Sequence, residues 1–486
     1  MRSLGNEQIK RLHDFVRSPY HNKKSGVILL CDELSKHFPD FDSPALDRMN
    51  IWNCMFPGEE FNYAVFKNMV YDLKKTVEKF ISIEGLLANS EGMHLALLEH
   101  LRNSGSRKLF TSSFESLINI GSPGHSTNAF TFQKYYRQLF EMYFHKEHFE
   151  GLYVHKSKRG DEIRKLADYF LLSVLIEAFD MYNMVNIRNV ELNTPEEEIR
   201  LTSILRVLDE SGFVNDFINN LDKYSKADSN ILSVYYEMYK ALREKSSAEN
   251  FKRFAVAIEA AKPFLTPHVL SSLYILLLNS LVNLHVNIEF ICSNYVEISR
   301  KMMNSGVYIS PDGRLRDQLF VTYISFASNL LMPEAIAEYM NKYGGCLQEK
   351  SKESLMRFAE ANYYFASGDF DRSLQINSSI RLELFPLKYY IKNLQIRLYY
   401  EIGDYDAFVL SIDAYRHFLS DNKELFKKHY KVQELFCSLI LKMFRLRLKY
   451  DHTEALKIQK KVSAEFGDSK VWMAKKIREL LKQGRY

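Results

Sequence analysis

The sequence contains little glycine and proline. There are 19 Gly and 11 Pro in 486 residues, which together are about 6% and roughly half the usual share. These two residues supply many of the tight turns that join neighbouring strands in a sheet. Their scarcity argues against a fold built mainly from β-sheet, and it predicts a mainly helical protein.

Cysteine is also scarce, and the spacing of the cysteines does not match a metal-binding motif. The five cysteines are not arranged in any CxxC pair, and they stand at Cys31, Cys54, Cys292, Cys346 and Cys437. This pattern fits neither a disulfide framework nor a zinc ribbon, and it is typical of a reducing compartment. The opening MRSLGNEQIKRLHDFV has charged residues before any apolar run, unlike a secretory signal. We therefore expect a cytoplasmic protein.

Charge of one sign is not in excess over the whole chain. Lys and Arg number 65 against 60 Asp and Glu, a formal net charge of +5. Hydrophobic residues make up 46% and charged residues 26%, with 34 Phe and 30 Tyr. This composition excludes disorder for most of the chain and predicts globular cores filled by aromatic side chains.

One long uncharged stretch requires an explanation. No charged residue occurs from Pro263 to Ile288, and residues 269–286 read VLSSLYILLLNSLVNLHV. The length alone would allow a membrane span. Several Ser and Asn residues interrupt it, however, and no aromatic belt or positive cluster brackets it. We interpret the stretch as a buried core helix and expect no membrane insertion, with a span as the alternative.

Hydrophobic spacing indicates helices along the chain and suggests three parts. Residues 1–88 form an N-terminal region of four predicted helices, separated by breaks at Ser18-Pro19, Phe38-Pro39 and Phe56-Pro57-Gly58. Residues 89–225 are predicted to be helical hairpins, and residues 226–486 a region of helical repeats. The last helix of the first part shows an apolar stripe at Phe66, Met69, Val70, Leu73, Val77, Phe80 and Ile81.

An internal repeat lies in the third part. The segment ANYYFASGDFDRSL (361–374) recurs as QIRLYYEIGDYDAFVL (395–410), which places Gly368 and Gly403 35 residues apart. Each copy predicts a helix, a glycine turn and a second helix, and LLMPEAIAEYM (330–340) is a more degenerate copy. The period and pattern resemble tetratricopeptide repeats. With the composition, this resemblance predicts an all-α α-solenoid of antiparallel helix pairs, preceded by an N-terminal helical domain.

A second resemblance concerns the start of the chain. The segment FVRSPYHNKK (15–24) is similar to the opening of uncharacterised bacterial helical proteins of this length. It implies no function.

Signatures of chemistry are absent from the sequence. It contains no HExxH, GxGxxG, phosphate-binding GxxxxGK or GxSxG motif. His145 and His148, one turn from Glu141, are interpreted as a solvated helix end, with a metal site as the alternative. Glu177 and Asp180 share a polar helical stripe, and we interpret them as a solvent face and not as an acid–base pair. We therefore expect neither an enzyme nor a cofactor or metal.

The tetratricopeptide resemblance implies candidate partner-binding residues. Proteins of that family hold ligands with first-helix positions three, six and ten residues before the turn glycine. Here these positions are Phe358, Asn362, Phe365, Asn393, Arg397 and Tyr400. We expect them to line one concave groove, with Asn393 and Arg397 exposed to a peptide backbone or a carboxylate. In the alternative interpretation, Phe358 and Phe365 pack into the neighbouring hairpin and Arg397 is merely solvated.

These observations favour a non-enzymatic interaction or scaffold protein that holds a protein or peptide segment. The alternative is a nucleic-acid-associated or regulatory protein that uses its basic C-terminal region. Residues 421–486 contain 17 Lys and Arg against 8 Asp and Glu, an excess that could bind phosphates or an acidic partner. An enzyme on an unfamiliar helical frame is the third possibility. The sequence identifies no partner and no oligomeric state.

Overall fold

The computed structural model is 83% helical and has no strand in the residues that it describes. The described residues are 1–486 without 3, 89, 121–131, 151–158, 193–199, 224, 283, 285, 287, 311, 381–384, 424–429, 465–469 and 484–486. The prediction of an all-α protein is confirmed. No helix within this described part is both long and apolar enough to cross a membrane.

The chain divides into two compact units. The first comprises Met1–Thr127 and Tyr136–Phe170, and the second comprises Asn128–Tyr135 and Leu171–Tyr486. The helices of the N-terminal part are α1 (Asn6–Arg17), α2 (Ser25–Ser35), α3 (Arg48–Met55), α4 (Tyr63–Ala88), α5 (Ser90–Asn103), α6 (Arg107–Ile120) and α7 (Phe132–Glu150). Helix α8 (Arg159–Leu192) contributes residues to both units.

Helices α1 to α4 pack around one apolar core in the first unit. The stripe predicted on α4 lies largely in this core, with Phe66, Leu73 and Phe80 buried, whereas Val70 and Ile81 are each 45% exposed. The difference arises because the buried arc of this 26-residue helix is narrower than the predicted stripe.

The second unit contains α9 to α23. These helices are α9 (Arg200–Glu210), α10 (Phe213–Asp222), α11 (Lys226–Arg243), α12 (Ala248–Ala261), α13 (Pro267–Val282), α14 (Ile288–Asn304), α15 (Asp317–Asn329), α16 (Pro333–Tyr343), α17 (Glu349–Ser367), α18 (Phe370–Ser379), α19 (Phe385–Ile402), α20 (Tyr405–Asp421), α21 (Tyr430–Leu448), α22 (His452–Ala464) and α23 (Lys470–Gln483). Each one contacts the next along the chain.

Contacts also join helices that are not consecutive. Helix α17 contacts both α15 and α19, α11 contacts α13, and α21 contacts α23. The last helix, α23, contacts α14 as well. Helix α13, which contains most of the uncharged stretch, buries nine of its residues, including Leu273 and Leu277. The interpretation of that segment as core is therefore correct.

A common turn joins three successive helix pairs. Gly368 and Gly403 have φ values of +85° and +89°, and Leu331, between α15 and α16, has a φ of +56°. The amides of Gly368 and Asp369 donate to the carbonyls of Phe365 and Tyr364. The amides of Leu331 and Met332 donate in the same pattern to those of Ser328 and Ala327. At these two ends this is the Schellman arrangement, whereas the amide of Gly403 donates to the carbonyl of Tyr399, the simpler ending with one left-handed residue.

The predicted boundaries at residues 88 and 225 stay a prediction. Helix α4 contacts α5 across the first boundary, and α10 contacts α11 across the second.

Candidate functional site

The common turn aligns the three helix pairs residue by residue. The position six residues before the left-handed residue is Ser325 in α15, Asn362 in α17 and Arg397 in α19. All three side chains line the same crevice. Because α17 contacts both of the other helices, equivalent positions on them come close together.

The crevice is narrow, and its exposed wall is mostly apolar although several of the lining residues carry polar groups. It leaves about 10 Å³ for the centre of a water molecule, which is room for about one water. Its lining residues come from α15, α17 and α19, and they are Ser325, Asn329, Phe358, Asn362, Tyr389, Tyr390, Asn393 and Arg397. All of them are buried except Tyr390, which is half-buried, so Tyr390 marks the mouth.

Arg397 is fixed by two contacts of different kinds. Its Nη1 donates to Oδ1 of Asn329 at 2.9 Å, which connects α19 to the end of α15. The centre of its guanidinium lies 4.8 Å from the centre of the Phe365 ring, within range of a cation–π interaction. The side chain is only 6% exposed, so these contacts operate in a largely desolvated environment.

Two further polar groups at the crevice are held by neighbours. Asn362 donates from Nδ2 to the carbonyl of Phe358 at 2.9 Å, one turn earlier in α17. Nε2 of Gln433 donates to the Tyr389 hydroxyl at 2.6 Å, and the Tyr415 hydroxyl donates to Oε1 of Gln433 at 3.1 Å. A chain of hydrogen bonds thus runs from the crevice wall to α20 and α21.

The six residues predicted to bind a partner fall into three groups. Phe358, Asn362, Asn393 and Arg397 line the crevice. Phe365 lies beside the guanidinium of Arg397. Tyr400 belongs to another cluster, where its ring centre is 5.2 Å from that of Trp472.

The expected exposure of Asn393 and Arg397 is wrong. All six residues are between 1% and 6% exposed. The reason is that α15, α17 and α19 contact one another and fill the space between them with aromatic rings, such as Phe358 beside Tyr390. The alternative is correct in packing both phenylalanines but wrong in leaving Arg397 solvated. The role of the six in partner binding stays a prediction.

Four lining residues escaped the sequence analysis: Ser325, Asn329, Tyr389 and Tyr390. Ser325 could have been found if the degenerate copy at 330–340 had been aligned on Leu331. A leucine does not indicate a left-handed turn, so Leu331 was not recognised as the equivalent of the turn glycines. The other three lie outside the three positions that the resemblance supplied.

The titratable groups considered as a metal or acid–base site in the sequence do not form a metal site in the described residues. No group of three or more His, Cys, Asp or Glu side chains there could hold a metal ion. Burial raises the pKa of Asp180, and a hydrogen bond with Asn183 partly offsets the effect. Burial and the charge of Arg102 lower the pKa of His145. Each of these shifts is explained by local packing.

Comparison of the chain with protein-family models, with curated proteins and with solved structures finds no match. The class that the structure itself defines is an all-helical protein in which consecutive helices pack against each other.

Proposed function

We propose that α11 to α23 form an α-solenoid of helix pairs related to tetratricopeptide repeats, and that this region binds a segment of another protein without chemistry. One observation carries the proposal. Polar residues at equivalent positions of three successive pairs, Ser325, Asn362 and Arg397, converge on one crevice. A repeated fold that brings equivalent positions together provides one surface for an extended ligand.

The polar side chains that line the crevice could bind a small polar group of the partner. The guanidinium of Arg397 offers a planar set of donors that matches a carboxylate, and Asn362 and Asn393 carry amides that pair with a peptide backbone. Phe358 and Tyr390 add flat apolar area at low entropic cost.

The size of the crevice limits how such a group would enter. Room for one water does not admit a carboxylate unless a side chain moves. Tyr390 is the one half-buried residue of the lining, so we expect its rotation to open the site. Binding would therefore combine displacement of water with a rotamer change, which is common at interfaces.

The test selects ligands from a phage-displayed library of random peptides on the full-length protein and then measures their affinity for two variants. Asn393→Leu removes an amide from the crevice at nearly constant volume. Asn377→Leu is the matched control, because Asn377 is also buried and donates to the carbonyl of Ile391 but does not line the crevice.

Both variants should lose similar stability, about 1–3 kcal/mol each, because each leaves buried polar groups without their partner. Only Asn393→Leu should lose the selected peptides, with affinity reduced at least about tenfold. Equal retention of the peptides by both variants would contradict the proposed site. Failure to select any peptide would contradict the function itself.

A further inference from the structure

The last three helices carry rows of exposed basic residues. The rows follow helical spacings of three, four or seven residues, so each lies on one face of its helix. They are Lys442 and Arg445 on α21 with Lys449 directly after its last residue, Lys457, Lys460 and Lys461 on α22, and Lys475, Arg478 and Lys482 on α23. These helices contact one another pairwise.

The rows on α21 and α22 adjoin each other. Glu454 lies between them, with carboxylate oxygens 3.2 Å from Nζ of Lys442 and 3.9 Å from Nζ of Lys457. In the described part of the chain, no other carboxylate oxygen lies within 4 Å of the nine cationic groups. Among the described residues, Glu454 is therefore the one acidic side chain within 4 Å of the six cationic groups of α21, Lys449 and α22.

Other faces of the same helices pack in the core. Met443 of α21, Ile458 of α22 and Trp472 of α23 are all buried in one cluster. The basic rows consequently face away from the core. Residues 421–486 hold 17 basic and 8 acidic residues, and the remaining chain holds 48 basic against 52 acidic ones. The positive charge is concentrated at this end of the sequence.

We propose that the basic surface formed by Lys442, Arg445, Lys449, Lys457, Lys460 and Lys461 binds the phosphate backbone of a nucleic acid. The row from Lys442 to Lys449 spans about 10 Å and the row from Lys457 to Lys461 about 6 Å, which correspond to about three and about two phosphates of a strand at 3.4 Å each. Regular rows of cations complement a polymer of regularly spaced anions. Most apolar side chains of these helices are buried in the core, with Leu448 and Leu456 exposed, so only a small apolar area is left for contact with a lipid surface.

This surface is separate from the crevice. None of its six residues lines the crevice or contacts Arg397 or Asn362 in the hydrogen bonds and ion pairs of the structure. Nucleic-acid binding by this surface is therefore independent of the proposed peptide binding.

The experiment uses the full-length protein and fluorescein-labelled oligonucleotides, one a single strand of thymidines and the other a duplex of equal length. Fluorescence anisotropy gives the association constant over a series of NaCl concentrations. The wild-type constant should fall linearly with salt on logarithmic axes, because bound phosphates release counterions. An association constant that does not change with salt would overturn the proposal.

A triple variant tests the location. Arg445→Glu, Lys449→Glu and Lys460→Glu together should weaken binding at low salt at least about tenfold and reduce the single-strand slope by about 2, since each lost phosphate contact contributes about 0.7. All three side chains are exposed, and circular dichroism of the same samples verifies that the helices persist.

The matched control changes the net charge equally elsewhere. Lys223→Glu, Lys226→Glu and Lys252→Glu alter three exposed lysines on or near α10 to α12. This control should bind like the wild type. An equal loss in both variants would show attraction by net charge alone and would overturn the assignment to this surface. Binding to phosphatidylserine vesicles without binding to either oligonucleotide would overturn the choice of nucleic acid.

Discussion

Replacing Arg397 by alanine should destabilise the second unit although the residue is charged. The variant loses the hydrogen bond to Asn329, and a charged donor contributes about 1.5–3 kcal/mol. It also loses the cation–π contact with Phe365, which contributes about 0.5–2 kcal/mol. Truncation of the buried stem leaves a cavity as well.

One effect opposes these losses. Arg397 is 6% exposed, and keeping its charge out of water has a cost that alanine removes. We therefore expect a net loss of about 2–4 kcal/mol for Arg397→Ala, less than the sum of its lost contacts. Arg397→Met preserves most of the stem volume while removing the charge. Its loss should be smaller than that of Arg397→Ala, because methionine fills most of the cavity that alanine leaves.

Tryptophan fluorescence gives a local assay. The chain has two tryptophans: Trp52 lies in the core of the first unit, and Trp472 lies in the core cluster that includes Phe365. In a Trp52→Phe background, the urea midpoint of Trp472 emission reports on the region around the crevice. An unchanged midpoint for Arg397→Ala, or a larger loss for Arg397→Met, would refute the account of a packed and hydrogen-bonded guanidinium.

Three other perturbations give sharp expectations. Gly368→Ala should lower the free energy of unfolding by about 1–2 kcal/mol in the same urea assay. The loss comes from backbone strain alone, because φ is +85° and the added Cβ meets open space. An unchanged free energy of unfolding would contradict the left-handed turn. Glu401→Ala removes the carboxylate oxygen that lies 2.7 Å from Nε1 of Trp472. The fluorescence emission of Trp472 in the single-tryptophan background should then shift to longer wavelength, and unchanged emission would contradict that contact. In the folded protein, iodoacetamide should modify exposed Cys54 much faster than Cys437, because burial raises the pKa of the Cys437 thiol to about 12. Mass spectrometry measures the two rates. Equal rates would show that Cys437 is accessible.

The glycine turns illustrate what the sequence can predict about this fold. Gly368 and Gly403 stand where two helices end in a left-handed residue, and glycine adopts that conformation without the steric cost of a Cβ. Leu331 occupies the equivalent place without that advantage, so no local rule identifies it. The segment 330–340 is recognisable as a degenerate copy, but the place of its turn is shown by hydrogen bonds, in which Leu331 and Met332 repeat the pattern of Gly368 and Asp369.

The membership of the candidate site was predictable in part, and its environment was not: Phe365 and Tyr400 were predicted but do not line the crevice. Counting back from the turn glycines selected Phe358, Asn362, Asn393 and Arg397, four of the residues that line the crevice. Exposure depends on how closely neighbouring helices approach, and that is a property of packing between helices and not of spacing within one. The half-buried ring of Tyr390 stands at the mouth of the crevice, and nothing in the repeat pattern marks it.

Burial changes what the double variant Asn393→Ala, Arg397→Ala can reveal. Exposed residues would leave the urea midpoint nearly unchanged, but these two are 5% and 6% exposed, so the double variant should lose several kcal/mol. Because both line one narrow crevice, the two losses should not add, and their coupling should reach about 0.5–3 kcal/mol. A double-mutant cycle in the Trp472 assay measures that coupling. Strict additivity, within about 0.5 kcal/mol, would show that the two side chains do not share one environment.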